Sequence, residues 1–161
     1  MRATGEPQGL KALLATHHAP GRLDWIGLRA ERLAPPRSVR ETALTLSGLE
    51  GDHGHPGKRA VTLIQAEHLP VIAALCGREA LAPEVLRRNL VISGINLSAL
   101  RGQEVWLGAA RLRFTTVCAP CSRMEKALGQ GGYNAMRGHG GWCAEVVHPG
   151  AIRVGDRLTP A

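Results

Sequence analysis

The stretch Thr116-Val-Cys-Ala-Pro-Cys-Ser-Arg-Met-Glu125 joins an apparent β-strand to an apparent α-helix, and it places Cys121 at the junction. Immediately upstream, Leu112 and Phe114 alternate with polar residues, and such alternation is typical of a half-buried strand. The same stretch contains a second thiol, Cys118, at the end of the predicted strand. The order strand, thiol, helix is therefore the first structural prediction.

The helix that follows has recognisable start and stop residues. Ser122 and Glu125 have the spacing of a capping box, in which a hydroxyl and a carboxylate satisfy each other's backbone amides. Gly129 ends the apolar helical pattern. The unpaired amides of a helix start favour negative charge, and Arg123 adds a cation beside them. We therefore predict that Cys121 is a nucleophilic or metal-ligating sulfur.

Short apolar runs punctuated by turns predict a mostly β protein, namely a β-barrel with a few short helices. The sequence contains 20 Gly and 10 Pro, which suits many turns. We expect Pro149-Gly150 to join the last two strands into a pair. The predicted strands are 9–17, 25–29, 39–46, 61–64, 90–93, 104–107, 110–117, 142–147 and 152–154, and two further helices are predicted over 67–76 and 83–87.

Composition limits the class of protein. A chain of 161 residues is most simply one domain, spanning 1–161. Four cysteines do not make a disulfide framework, and no run approaches the ~20 apolar residues of a membrane span. We therefore expect a cytoplasmic protein with no membrane partner. The net charge of +7 favours an anionic partner, but the aromatic content of 3% argues against nucleic acid, whose single strands need stacking platforms.

Cys118 and Cys121 allow four interpretations. They could be a redox dithiol, half of a zinc site, one reactive thiol with a packing neighbour, or two small buried residues. Cys76 and Cys143 supply no matching C-x-x-C partner for zinc. The helix-start position favours a functional Cys121, with Cys118 as packing or a secondary thiol.

A second group of residues offers candidates for metal or anion binding. Asp52-His53-Gly54-His55 could ligate a metal, but it supplies at most three ligands in cramped spacing, and we predict no structural zinc there. Basic and amide side chains before two strands, and a Gly-rich loop over 129–141, could hold a phosphate. The candidate anion-binding residues are Lys58, Arg59, Arg88, Asn89, Arg123, Asn134, Arg137 and His139.

Five motifs in this order resemble the MOSC domain, named for the C-terminal domain of molybdenum cofactor sulfurase, and the resemblance covers about residues 26–158. The motifs are Gly48-Leu-Glu-Gly-Asp-His, Arg87-Arg-Asn-Leu with Ser93-Gly-Ile, Ala119-Pro-Cys-Ser-Arg-Met-Glu, Gly138-His-Gly-Gly and Gly155-Asp-Arg-Leu. The resemblance is to a stand-alone bacterial member. Pyridoxal phosphate is implied only at the level of the wider family, whose sulfurase carries an aminotransferase-like module that this sequence lacks.

The resemblance implies a mostly antiparallel β-barrel that binds the molybdenum cofactor, molybdopterin. Its cysteine corresponds to Cys121, which would ligate molybdenum or carry a persulfide, and the basic residues would hold the cofactor's phosphate. The protein would act in sulfur transfer or in reduction of N-hydroxylated compounds. The sequence has no motif for flavin, haem or an iron–sulfur cluster, so a separate protein would donate electrons or sulfur.

Two other functions remain open from the sequence. Cys118 and Cys121 could form a dithiol oxidoreductase, although the thioredoxin-like βαβ alternation is missing. Alternatively, the chain could be a non-catalytic barrel that binds anions or RNA.

Overall fold

The computed structural model describes residues 9–161. Eleven strands and five short α-helices occur in this part of the chain, together with a 3₁₀ turn over Leu97–Leu100. The strands are β1 (Gly21–Leu28), β2 (Arg37–Val39), β3 (Glu41–Thr45), β4 (Gly48–Leu49), β5 (Val61–Gln65), β6 (Leu90–Ser93), β7 (Glu104–Leu107), β8 (Ala110–Val117), β9 (Trp142–His148), β10 (Gly150–Arg153) and β11 (Arg157–Pro160). The helices are α1 (Gly9–Leu14), α2 (His68–Leu75), α3 (Pro83–Leu86), α4 (Ser122–Leu128) and α5 (Gly132–Met136).

Seven strands form a closed barrel, which confirms the predicted fold class. Their order is β11-β7-β8-β9-β5-β6-β1, and β1 pairs back with β11 to close the ring. Every neighbouring pair is antiparallel except β5 and β6, which run parallel. A parallel pair needs a crossover connection, and α2 with α3 provides it. No helix within residues 9–161 combines the length and apolar character needed to cross a membrane.

Two apolar cores explain why these residues form these elements. The barrel interior is filled by side chains such as Phe114, Leu23 and Leu63, all fully buried. A smaller core joins Ile64 on β5 to the helices outside the barrel, where Met124 is buried. Strand β5 is therefore covered on both faces, and this is why all five of its residues are buried rather than alternate ones.

Two predictions about the elements are wrong. Residues 9–14 form a helix instead of the expected strand over 9–17, and the leucines at 10, 13 and 14 follow helical rather than alternating spacing. The final strand pairing also differs, because β10 pairs with β3 in a separate sheet and not with β9. Strand β9 instead lies between β5 and β8 in the barrel. Pro149-Gly150 therefore carries the chain from one sheet to the other.

Candidate functional site

Cys121 lies at the start of α4, as the sequence predicted. It is the N-cap residue, with extended backbone at φ −128° and ψ 175°, and its carbonyl accepts a hydrogen bond of 2.9 Å from the Met124 amide. The structure describes all four cysteines, and Cys121 is the exposed one. The thiol therefore faces solvent where a helix begins.

The predicted capping box is wrong, and the carboxylate has another role. Ser122 is the first helical residue, and the helix start has no side-chain cap. Glu125 instead accepts hydrogen bonds from the amides of Gly131 at 2.7 Å and Tyr133 at 2.8 Å. The amides of Tyr133 and Gly131 lower the pKa of Glu125 below its ordinary value. Glu125 thus fastens the start of α5 to α4, which steadies the helix behind Cys121.

Guanidinium groups converge beside Cys121. Arg87 has a left-handed backbone with φ 59°, a conformation that costs a non-glycine residue about 1–2 kcal/mol. This turn sends its side chain to the carbonyls of Ala34 and Arg32, and Arg123 donates to the same Arg32 carbonyl at 2.9 Å. Cys121 lies within electrostatic reach of the Arg87 guanidinium.

The Arg87 and Arg123 side chains line an open cavity. Its volume is about 430 Å³, and Ser122 and Lys126 complete its polar lining. Burial, followed by the cations of Arg123 and Arg29, holds the pKa of Arg87 below its ordinary value. Like charges repel here, so a bound anion would relieve the repulsion.

A buried ion pair supports this wall of the site. The guanidinium of Arg29 forms two bonds with the carboxylate of Asp52, at 3.0 and 3.1 Å, and the Asp52 side chain is fully buried. Another Arg29 nitrogen donates to the Arg87 carbonyl at 3.2 Å. His53 Nδ1 lies 2.9 Å from the Arg29 carbonyl. Asp52 and His53 therefore hold Arg29, and Arg29 holds the strained turn at Arg87.

Within residues 9–161, no further side chain joins the Asp52-His53-Gly54-His55 loop to complete a group of metal ligands. Within residues 9–161, no group of three or more His, Cys, Asp or Glu side chains is placed to hold a metal ion. The expectation that this loop carries no structural zinc stays a prediction.

Two predicted anion-binding residues are buried in the framework. Arg88 is 8% exposed and donates to the carbonyls of Gly140 at 2.7 Å, Leu86 at 3.0 Å and Cys118 at 3.3 Å. The Asn89 side chain accepts from Thr62 and donates to a carbonyl of β1. Both side chains tie separate segments together, and their role in holding an anion stays a prediction.

Cys118 has a thiol partner that the sequence did not indicate. Its side chain is 6% exposed and that of Cys143 is fully buried. The neighbouring Cys143 thiol, followed by the cations Arg88 and Arg59, lowers the pKa of Cys118. The Cys118 thiol and burial raise the pKa of Cys143. The structure therefore holds a buried thiol pair close to the base of the helix that carries Cys121.

The Gly138-His-Gly-Gly loop packs against this pair. Gly141 has φ +95°, and a Cβ there would lie 2.1 Å from the Leu63 carbonyl, so only glycine fits. The Cys118 amide donates to the Gly141 carbonyl at 2.9 Å. His139 packs edge-on against His68, with ring centroids 5.0 Å apart, and its Nδ1 is buried without a hydrogen-bond partner in the described structure.

The remaining predicted residues lie in different places. Arg59 is exposed, and its cation is close enough to Cys118 and Cys143 to act on the pKa of both thiols. Lys58 is exposed, and its carbonyl accepts from Thr115. Asn134 and Arg137 are exposed near the end of α5 and interact with each other at 3.5 Å.

Sequence reasoning missed two contributors, Arg29 and Cys143, and from the pair Arg87-Arg88, both considered for an anion, it kept Arg88. Arg29 follows directly after β1 and Arg87 stands beside the chosen Arg88, so their positions at element ends were visible. Cys143 could be recognised only once β8 and β9 were paired.

Together, the fold and the site define a closed β-barrel that carries an exposed thiol beside a cationic cavity. The sequence profile of the MOSC domain matches residues 36–159. The chain therefore belongs to the MOSC domain family.

Solved structures agree in fold. YuaD from Bacillus subtilis is similar with a TM-score of 0.76 and 17% identity, over 89% of this chain and 97% of that one. YiiM from Escherichia coli is similar with a TM-score of 0.70 and 23% identity, over 87% and 69%. YiiM from Geobacillus stearothermophilus gives 0.72 and 17%, over 88% and 75%. A search of curated proteins found no match to the chain.

Proposed function

We propose that the chain binds a molybdopterin-type cofactor beside Cys121, and that the Cys121 thiol ligates molybdenum or carries a sulfane sulfur. The observation that supports this most directly is the convergence of Arg87 and Arg123 on a cavity next to the exposed thiol. Within residues 9–161, neither guanidinium forms an ion pair with a carboxylate. Membership of the MOSC family is consistent with this cofactor.

The residues present fit such a group. Thiolate is a soft ligand suited to a heavy transition metal, and Cys121 offers one with open access. A phosphate suits the planar donors of Arg87 and Arg123, and Lys126 adds a point charge at the cavity edge. The cavity volume of about 430 Å³ lies in the range common for small-molecule sites.

Each side chain would have a separate task at this site. Arg87 and Arg123 would bind and orient the anionic end, and Cys121 would fix the reactive end. When bound, the cofactor would supply two-electron redox chemistry, and N-hydroxylated compounds are the proposed substrate class for a reductase of this kind. Electrons or sulfur would come from a separate donor protein.

Cofactor content after expression in a molybdopterin-competent host tests the proposal. Molybdenum by elemental analysis and pterin by fluorescence should co-purify with the wild type, and Cys121→Ser should lose molybdenum. Arg123→Ala should weaken retention about tenfold or more, because one charged hydrogen bond is worth about 1.5–3 kcal/mol.

Arg101→Ala provides a matched control, since Arg101 is exposed and lies outside the cavity lining. Equal loss in Arg101→Ala and Arg123→Ala would show that retention follows net charge and not the cavity. Salt-sensitive binding of RNA by both the wild type and Cys121→Ser, with no pterin in either, would replace this proposal by an anion- or RNA-binding barrel.

A further inference from the structure

The loop that joins β1 to β2 forms one wall of the cavity lined by the two arginines. Leu28 pairs with Arg37, so residues 29–36 make up the loop. Its tip is a turn in which the Ala34 amide donates to the Glu31 carbonyl at 3.1 Å. Leu33 lies at this tip, where it is 80% exposed, and it belongs to the cavity lining.

Two guanidinium groups hold the tip of the loop at the cavity. Arg123 donates to the Arg32 carbonyl at 2.9 Å. Arg87 donates to the same carbonyl at 2.9 Å and also to the Ala34 carbonyl. Among the hydrogen bonds of residues 9–161, these are the ones that join residues 30–36 to other parts of the chain. The position of the loop therefore depends on the two cations that the proposed function assigns to an anion.

We propose that residues 30–36 form a lid, that an anion in the cavity stabilises the closed lid, and that Leu33 selects an anion with an apolar organic body. The ligand class is a phosphate monoester. The cofactor proposed above is one member of that class, so the inference rests on the proposed function. Leu33 is then a specificity-determining residue, and the carbonyls beside it position the two guanidiniums.

Charge repulsion opposes the closed lid until an anion binds. The donor nitrogens of Arg87 and Arg123 are at most about 6 Å apart, because each lies 2.9 Å from the same Arg32 oxygen. Like charges this close repel, and a carbonyl has no net charge to offset them. A phosphate supplies that charge, and each guanidinium has more donors than the carbonyls occupy. Anion binding therefore favours closure, and by reciprocity closure raises the affinity for the anion.

The position of Leu33 suits the organic part of such a ligand. Its neighbours Arg32 and Ala34 carry the carbonyls that the guanidiniums hold, so closure fixes Leu33 between two anchored residues. The other residues of the cavity lining are polar or charged. Covering one or two methylene groups of the leucine raises affinity about fourfold or more. Inorganic phosphate has the charge but lacks a body that could cover them.

Trypsin cleavage of the full-length protein measures the position of the lid, because the Arg32 carbonyl that the guanidiniums hold is also the scissile carbonyl. The probes are phenyl phosphate and inorganic phosphate at equal ionic strength. At saturation, phenyl phosphate should slow cleavage of the Arg32–Leu33 bond about tenfold and inorganic phosphate about threefold. Cleavage after the exposed Arg101 is the internal control and should not change. Amide hydrogen exchange at residues 30–34 measures the same closure without a protease.

Substitutions at the lid separate charge from selection, with each cleavage rate compared with that of the same variant without ligand. Leu33→Ser should reduce protection by phenyl phosphate to about the threefold given by inorganic phosphate, whereas Leu33→Met should retain it. Arg123→Ala should lose protection by both probes. Leu46→Ser is the matched control, because Leu46 is 57% exposed and lies outside the cavity lining.

The outcomes distinguish this inference from the proposed function. Protection by phenyl phosphate in a protein that retains no pterin would support the lid and refute the molybdopterin proposal. Retained pterin and molybdenum, with cleavage after Arg32 unchanged by the cofactor and by both phosphates, would overturn the lid and leave the proposed function intact. Equal protection by phenyl phosphate in the wild type and in Leu33→Ser would overturn selection by Leu33.

Discussion

Replacement of Arg88 by Lys separates a framework role from a cofactor-binding role. Arg88 is 8% exposed, and its fork reaches the carbonyls of three segments, at Gly140, Leu86 and Cys118. Lys keeps the positive charge but presents one compact ammonium on a flexible stem. The single ammonium of Lys can hydrogen-bond well to one of these three carbonyls, so the other two carbonyls would lose their hydrogen-bond donor.

The expected cost follows from this count. A buried polar group without a partner costs about 1–3 kcal/mol, so two carbonyls cost about 4 kcal/mol together. In a domain of this size 1 kcal/mol shifts the melting temperature by about 2–4 °C, which gives a fall of about 8–16 °C for Arg88→Lys. Differential scanning calorimetry measures it directly.

Arg22→Lys is the matched control, because the Arg22 side chain is 66% exposed and such changes stay within about 0.5 kcal/mol. The reasoning is refuted if Arg88→Lys melts within about 2 °C of the wild type. In that case the guanidinium would be free to serve the cofactor, as the sequence had suggested.

Three further outcomes are expected. The free energy of unfolding should rise between about pH 6 and pH 9. The folded state lowers the pKa of Cys118, so the thiolate stabilises the protein fully above the unfolded-state pKa, and this stabilisation is lost as pH falls through the folded-state pKa. Urea titrations at each pH should show this rise in the wild type and not in Cys118→Ser. Gly141→Ala should lower the melting temperature much more than Gly138→Ala: both have positive φ, but only at 141 does the added Cβ collide with the Leu63 carbonyl. Timed iodoacetamide labelling should modify exposed Cys121 before the buried thiols, and faster labelling of a buried thiol would contradict the observed burial.

Local sequence patterns were enough to predict many of the barrel strands. The hairpin of β7 and β8 was predicted at its observed bounds, because alternation and the Gly108-Ala109 turn lie within a few residues. The partner of β10 was wrong because pairing with β3 joins segments more than 100 residues apart in sequence. The local sequence pattern of Gly150–Arg153 does not indicate which distant strand it pairs with.

The site shows the same limit at the level of single side chains. Arg87 and Arg88 are adjacent and chemically equal in the sequence, yet the left-handed turn at Arg87 points the two guanidiniums to different surroundings. Position at a helix start identified Cys121 because capping is local. Cys118 and Cys143 come near each other because β8 pairs with β9, and the alternation within each strand does not reveal which strands pair.

The partners of the arginines near Cys121 support the proposal that the site receives an anion. Arg29 is matched by the buried carboxylate of Asp52, and Arg88 is held by three carbonyls beside the Cys118 thiol. These two cations therefore stabilise the framework. Arg87 and Arg123 have only main-chain carbonyls as hydrogen-bond partners in the described structure, and a carbonyl satisfies donors without cancelling their charge. Because the cations of Arg123 and Arg29 repel Arg87 after burial, we expect a ligand that supplies negative charge at the cavity to stabilise Arg87 and Arg123.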